Sequence, residues 1–326
     1  MVLIPTGAGG SIAVEDLGRT LMHEHLFVLT PEVLENYPEY WDEEERVDAA
    51  VAQLTRLKAA GIDSIVDPTV IGLGRYLPRV RRIAERVPVN IIVATGVYAF
   101  VEMPHFFRYR GPGTLLGGPE FIADLLVKDI QVGIGDTDVK AAFLKCATEH
   151  PDMSADVERV LRATALAHLQ TGAPIMTHSN ALLQTGLIQQ EIFAEEGVDL
   201  TQVLIGHCGD TTDESYLRRL LDRGSFIGLD RFGLDQLLPT AKRVDTLVRL
   251  CELGYADQIV VSHDASCHTD AFPDDMRNAA MPDWHFEYIP RVVLPMLRKR
   301  GLAEEVLDQI LVDNPRRYFE ALQGDR

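Results

Sequence analysis

Short apolar runs alternate with longer amphipathic ones along almost the whole chain. Eight of the short runs are predicted as strands: residues 20–27 (TLMHEHLF), 63–69, 90–98, 140–147, 174–179, 202–209, 225–230 and 258–264. Residues 46–60 between the first two read as a helix. Val47, Val51, Leu54 and Leu57 fall on one face, and Gly61 stops it. Residues 161–169 and 239–253 repeat that pattern, the second ending before Gly254. Strands alternating with helices predict a parallel sheet with right-handed crossovers. Eight such units predict a closed (β/α)8 TIM barrel rather than an open doubly wound sheet. No G-x-G-x-x-G follows a strand, which weakens a dinucleotide-binding reading. The 326 residues fit one barrel, ordinarily about 250 before insertions. No linker or composition break interrupts them, so residues 1–326 read as one domain. Residues 29–42, 99–118 and 265–284 follow strands and are expected as long loops on the C-terminal, catalytic face.

The chemistry starts in the first strand. His23 and His25 are two apart, and on a strand such residues point to the same side, so both imidazoles can share one metal. A lone H-x-H is also met as two polar residues at a strand end. Three further candidates close other strands: His178 the fifth, His207 the sixth and Asp264 the eighth. Barrel active sites are built at those ends. His263 has the opposite parity to Asp264 and should face away from the site.

Lys145 stands in the apolar fourth strand, after Ala141, Ala142, Phe143 and Leu144. A buried ammonium is costly, and worse beside metal cations. A neutral lysine can instead add CO2 and become an anionic carbamate able to bridge two metals. A lysine that snorkels to water is the commoner arrangement. Lys140, at the start of the strand, reaches water easily.

Composition narrows the partners. The formal charge of −18 disfavours nucleic acid and anionic membrane as partners. Cys146, Cys208, Cys251 and Cys267 form no C-x-x-C pair and read as reduced thiols. The first residues lack a basic and then apolar leader, and no apolar run reaches the roughly 20 residues of a membrane span. A cytoplasmic protein is expected.

The ordered set His23-x-His25, Lys145, His178, His207, Asp264 resembles that of the amidohydrolase superfamily. More narrowly, LGRTLMHEHLFVL (17–29), NIIVATGVY (90–98), KAAFLKCA (140–147), PIMTHS (174–179), IGHCGD (205–210), GLDRFG (228–233) and VVSHDA (260–265) resemble the phosphotriesterase-like lactonases. The resemblance implies a binuclear metal centre bridged by a carboxylated lysine, and a homodimer. By position it implies that His23, His25 and Asp264 hold the more buried metal, that His178 and His207 hold the other, and that carboxylated Lys145 bridges them. Tyr98 corresponds to a tyrosine leaning over the centre, Arg231 to an active-site arginine and Asp210 to an acid behind it. Packing alone could account for Tyr98, an Asp230 pair for Arg231, and a helix N-cap for Asp210. His105, His150, His168, His268 and His285 match no ligand position. Some relatives carry cysteine where Ser266 stands.

The expected reaction is hydrolysis at a centre of two divalent cations (zinc, cobalt, iron or manganese), with Asp264, Tyr98 and Arg231 as catalytic residues. The resemblance points to lactones, including N-acyl-homoserine lactones (quorum quenching), and to weaker phosphotriesterase activity. The apolar residues Ala271, Phe272, Met276, Ala279, Ala280 and Met281 suit an acyl chain. The rival readings are a dedicated phosphotriesterase (an aryldialkylphosphatase), an amidohydrolase of cyclic amides, and a non-catalytic metal-binding barrel.

Overall fold

In the computed structural model, which describes residues 1–320, twelve strands are present: β1 (Leu3–Pro5), β2 (Ser11–Ala13), β3 (Thr20–Leu21), β4 (His25–Val28), β5 (Ser64–Asp67), β6 (Asn90–Gly96), β7 (Phe143–Thr148), β8 (Ile175–Ser179), β9 (Val203–Ile205), β10 (Phe226–Leu229), β11 (Ile259–Val261) and β12 (Ser266–Thr269). β1 and β2 form an antiparallel hairpin. Eight strands form one parallel sheet in the order β11-β10-β9-β8-β7-β6-β5-β3. The Met22 N–H donates to the Val261 carbonyl at 3.3 Å and brings the two ends of the sheet together. β4 continues the first strand and pairs in parallel with β12. The expected (β/α)8 TIM barrel is the fold.

The helices between strands follow ordinary rules. Glu43–Ala59 begins at Asp42, whose carboxylate accepts the Glu45 N–H at 3.0 Å. Glu43, Glu44 and Glu45 fill its first turn, and Arg56 and Lys58 its last, matching the helix dipole. Val47, Ala50, Leu54 and Leu57 are its buried face. Ala155–Thr171 ends at Gly172, whose positive φ of 71° reverses the chain.

The core has two layers. Leu54, Leu126, Leu161 and Leu247 belong to the packing between helices and sheet. Met22, Val66, Ile92, Phe143, Met176, Leu204 and Val260 fill the barrel, and Tyr318 and Phe319 pack into the same cluster. With the interior filled by apolar side chains, polar chemistry is left to the C-terminal ends of the strands. No helix of the described residues is long and apolar enough to cross a membrane.

The departures from the predicted elements concentrate at those ends. The run 20–27 is broken between β3 and β4, with His23 in the break. The runs 202–209 and 258–264 shorten to Val203–Ile205 and Ile259–Val261, so His207 and Asp264 lie beyond their strands. Both take left-handed backbone, with φ of 60° and 54°. Such a conformation in a non-glycine residue costs about 1–3 kcal/mol and must be held by its surroundings. The stretch 265–284 holds β12 and the helix Asp274–Ala280, and 29–42 holds the helix Pro31–Asn36.

Candidate metal centre

His23, His25, Tyr98, Lys145, His178, His207 and Asp264 line one cavity of about 200 Å³. The histidines and Lys145 are buried. Neighbouring imidazole rings lie 4.5 Å (His178–His207), 4.8 Å (His23–His207) and 5.6 Å (His23–His25) apart between centroids. Alternation along an unbroken strand does not explain the first pair, because β3 and β4 are separated there. The pair converges because Glu24, between them, turns the other way. Its buried carboxylate accepts from Ser262 Oγ at 2.8 Å and from the N–H groups of His263 at 3.0 Å and Ala265 at 3.1 Å, and it pairs with His263 Nδ1. These bonds bracket Asp264 and hold its left-handed backbone against the first strand. His263 therefore faces away from the cavity, as its parity predicts, and its Nε2 accepts the Ile289 N–H at 2.8 Å.

Each imidazole is braced from behind. Asp230 uses one oxygen for His23 Nδ1 (2.9 Å) and the other for His207 Nδ1 (3.0 Å). His25 Nδ1 lies 2.7 Å from Thr69 Oγ1, which donates to Asp67. His178 Nε2 meets Glu149 Oε2 at 2.8 Å, and Glu149 Oε1 accepts from Asn180 Nδ2 at 2.9 Å. One nitrogen of each ring is thereby engaged. The other is left to the shared cavity: His23 Nε2 and His25 Nε2 lie 3.4 and 3.2 Å from Asp264 Oδ1. This one-nitrogen bracing is what metal-binding histidines require. His23, His25 and Asp264 bring ligand atoms close enough to hold one ion. His23, His207 and Asp230 also cluster, but Asp230 spends both oxygens on Nδ1 atoms and serves as their brace.

Lys145 Nζ lies 3.4 Å from His23 Nε2. Burial lowers the lysine pKa to about 8. Burial, with the Lys145 charge beside it, lowers His23 to about 4. Burial also works against a charged His25, but hydrogen bonds to Asp264 and Asp67 outweigh it and raise its pKa to about 9. Lys140 is exposed.

Arg231 does not pair with Asp230. Its Nε donates to Asp264 Oδ2 and its Nη1 to Asp210 Oδ2, each at 2.9 Å. Asp210 is not a helix cap either: the cap of Glu214–Asp222 is Asp213. The second oxygen of Asp210 accepts from buried Arg243 at 2.7 Å. A chain Asp264–Arg231–Asp210–Arg243 runs outward from the cavity. Tyr98 OH sits 3.1 Å from His178 Nδ1. Burial raises the Tyr98 pKa above the ordinary phenol range, so the hydroxyl stays a donor. His105, His150 and His285 are exposed, His168 Nδ1 lies 2.8 Å from the Ala173 carbonyl, and His268 Nδ1 lies 3.2 Å from Asp274; none lines the cavity.

The braces Asp67, Thr69, Glu149 and Asp230 were not singled out from the sequence as partners of the histidines. The signal was thin: each stands within three residues of a strand's C-terminal end, but its partner is on another strand.

A barrel whose strand ends bring imidazole, carboxylate and a buried lysine into one cavity offers a donor set suited to metal ions. Comparison of the sequence is more specific. The chain belongs to the phosphotriesterase family, whose model matches residues 5–319, and enzymes of this family carry a binuclear metal centre. It is 54% identical over 318 residues to a phosphotriesterase homology protein of Mycobacterium tuberculosis, covering 97% of this chain and 98% of that one. It is 41% identical over 319 residues to an aryldialkylphosphatase of Saccharolobus solfataricus, covering 97% and 99%. A solved phosphotriesterase structure from Mycobacterium tuberculosis superposes with a TM-score of 0.97 at 53% identity, covering 99% of this chain and all of that one.

Proposed function

We propose that this phosphotriesterase-family hydrolase is a lactonase, acting on lactones that include N-acyl-homoserine lactones, with secondary phosphotriesterase activity. The observation that carries the reading is the composition of the cavity. The Tyr98 hydroxyl stands at the histidine cluster, 3.1 Å from His178 Nδ1, while Val28, Leu73, Ala271, Phe272 and Trp284 form a mainly apolar wall that also carries Ser266 and Thr269. A hydroxyl beside the cluster suits a developing oxyanion, and one mainly apolar wall suits a single acyl chain. Of the loop residues expected to serve that chain, Ala271 and Phe272 reach the cavity. Met276, Ala279, Ala280 and Met281 do not line it, because the helix Asp274–Ala280 and its end carry them elsewhere.

His23, His25, His178, His207 and Asp264, with Lys145 as a carbamate, are assigned as ligands of two divalent cations. The Lys145 ammonium would first give up one proton, and the neutral amine would then add CO2 and release a second, so that an anion stands where a buried cation stood. Bound there, the cations would supply Lewis acidity and bring a water's pKa toward neutrality. The mixed nitrogen and oxygen donors do not choose among zinc, cobalt, iron and manganese. The chain's own groups do the rest. Tyr98 donates to the carbonyl oxygen as it becomes an oxyanion. Asp264 takes a proton from the attacking water and returns it to the ring oxygen as the C–O bond breaks, leaving a hydroxy acid. Arg231 holds Asp264 Oδ2 and so fixes the direction of that carboxylate.

A phosphotriester at the same site would need in-line departure and room for three substituents. The test is kcat/KM for a long-chain acyl-homoserine lactone against paraoxon, on one metal-loaded preparation. A lactone preference of a hundredfold, about 2.7 kcal/mol, is expected. Equal or higher efficiency on paraoxon would assign a dedicated phosphotriesterase instead. We also assign a homodimer. Phe100, Val101, Phe106, Tyr109, Leu115 and Leu116 stand exposed on the 99–118 segment, a surface that association would cover. A mass in solution near that of the 36.3 kDa chain would overturn this.

A further inference from the structure

We infer that Glu149, steadied by Asn180, is the positioning residue that selects the nitrogen His178 offers to the cavity, and so governs one of the two cation sites separately from the other. The inference rests on the two-cation reading above. It comes from an asymmetry among the braces. His23 and His207 share one fully buried carboxylate, Asp230. His25 leans on Thr69 and Asp67, also buried. His178 alone among the four is braced by a carboxylate with substantial exposure, the Glu149 side chain being 28% exposed.

An imidazole has two nitrogens, and the hydrogen bond made by one decides which lone pair the other presents. Glu149 Oε2 lies 2.8 Å from His178 Nε2, which makes that nitrogen the N–H donor. The Nδ1 lone pair is left on the side of Tyr98, whose hydroxyl lies 3.1 Å away and lines the cavity. His23, His25 and His207 all run the other way, with Nδ1 on the brace. Remove Glu149 and His178 can turn or change tautomer, while the other three keep their partners. Glu149 is itself aimed by its second oxygen, which takes the Asn180 amide at 2.9 Å. The Asn180 side-chain oxygen accepts the Leu183 N–H at 3.1 Å, and its own N–H donates to Thr185 Oγ1 at 2.8 Å. The turn after β8 thus fixes Asn180, Asn180 fixes Glu149, and Glu149 fixes the ring.

The test is competition of the wild-type enzyme and the variants Glu149→Ala, Glu149→Gln and Asn180→Ala with a chromophoric chelator for zinc, read as two stepwise affinities. Melting temperature is recorded alongside. Glu149→Ala is expected to weaken one affinity about 10- to 100-fold and leave the other within a factor of about three. Glu149→Gln, which keeps an acceptor oxygen, should recover part of the loss. Asn180→Ala should weaken the same site by less than Glu149→Ala does. Two unchanged affinities in Glu149→Ala would overturn the inference. So would an equal fall in both sites, or a fall accompanied by a lowered melting temperature that Glu149→Gln does not repair. A wild-type enzyme that takes up a single zinc would instead strike the two-cation reading, and this inference with it.

Discussion

The Tyr98 hydroxyl lies 3.1 Å from His178 Nδ1 and takes up the lone pair that this nitrogen would offer a cation. With His178 Nε2 donating to Glu149, the tyrosine is the donor in this contact. A cation at Nδ1 and this hydrogen bond exclude each other, so uptake of a cation there would free the hydroxyl to turn toward substrate. Tyr98→Phe should therefore bind zinc as tightly as the wild type or tighter, by up to about tenfold, since a neutral hydrogen bond contributes about 0.5–1.5 kcal/mol. It should nevertheless lose roughly a hundredfold in kcat on a lactone, the usual loss for one oxyanion donor. Chelator competition and initial rates read the two effects separately. Weaker zinc binding in the variant would mean that Tyr98 supports the site rather than competing for it.

Lys145 is 1% exposed and, among the described residues, has only an imidazole nitrogen within hydrogen-bond reach, at 3.4 Å. A permanent ammonium there would lack any charged partner in contact. Lys145→Ala should lose cations and activity together, and a short carboxylic acid added to the buffer should restore part of both. Lys140→Ala should do neither, because that side chain is exposed before the strand begins. Isotope-labelled bicarbonate should give a carbamate carbon signal in the wild type and none in Lys145→Ala. Retention of two cations by Lys145→Ala would remove the bridge from the proposal.

Glu24 offers a prediction about stability. Its carboxylate is fully buried and collects donors only, from Ser262, His263 and Ala265. Glu24→Gln turns one acceptor into an NH2 group facing those donors. Hydrogen bonds to a charged acceptor contribute about 1.5–3 kcal/mol each, so a loss on the order of 3 kcal/mol is expected in denaturant unfolding. Because the same bonds hold Asp264 in its left-handed conformation, cation affinity should fall with it. A variant with unchanged stability would show that Asp264 is held by its cation-facing contacts alone.

The strands that carry the candidate ligands were legible because the barrel buries both faces of each and punctuates it with a polar end. His178 lies one residue before the end of β8, and Lys145 lies in β7, as the apolar runs predict. The limits lay where backbone departs from regular pairing. His207 and Asp264 read as the last residues of strands, yet each has left the strand with positive φ, which no local pattern announces. Asp230 illustrates the other limit. In sequence it adjoins Arg231, and a pair between these neighbours was the alternative to an active-site role for the arginine. In the fold the two point apart, Asp230 to His23 and His207, Arg231 to Asp264 and Asp210. Those partners come from other strands, so barrel register decides them, and a single chain's pattern holds no record of that register. Motif resemblance pointed to the candidate ligands; only the assembled barrel supplies what braces them.

The acyl wall gives the last prediction. Phe272 is 47% exposed yet lines the cavity, with Leu73, Ala271 and Trp284. A side chain placed so can still be covered by a ligand, and each methylene buried against it is worth up to about 0.8 kcal/mol, or roughly fourfold. For a homologous series of acyl lactones, kcat/KM should rise with chain length until the wall is covered, then level off. The rise should appear in KM more than in kcat, because the chain lies away from the reacting carbonyl and binds ground and transition states alike. Phe272→Ala should flatten the slope for longer chains and leave the shortest lactone within about a factor of three of wild type. Trp284 makes a poorer test, since its indole N–H donates to the His263 carbonyl at 2.8 Å and its loss would disturb the turn beside Asp264. If Phe272→Ala lowers every member of the series equally, the residue shapes the site as a whole. The acyl chain would then have to be placed along the opposite rim, past Tyr98 and Phe100, whose rings lie 4.9 Å apart.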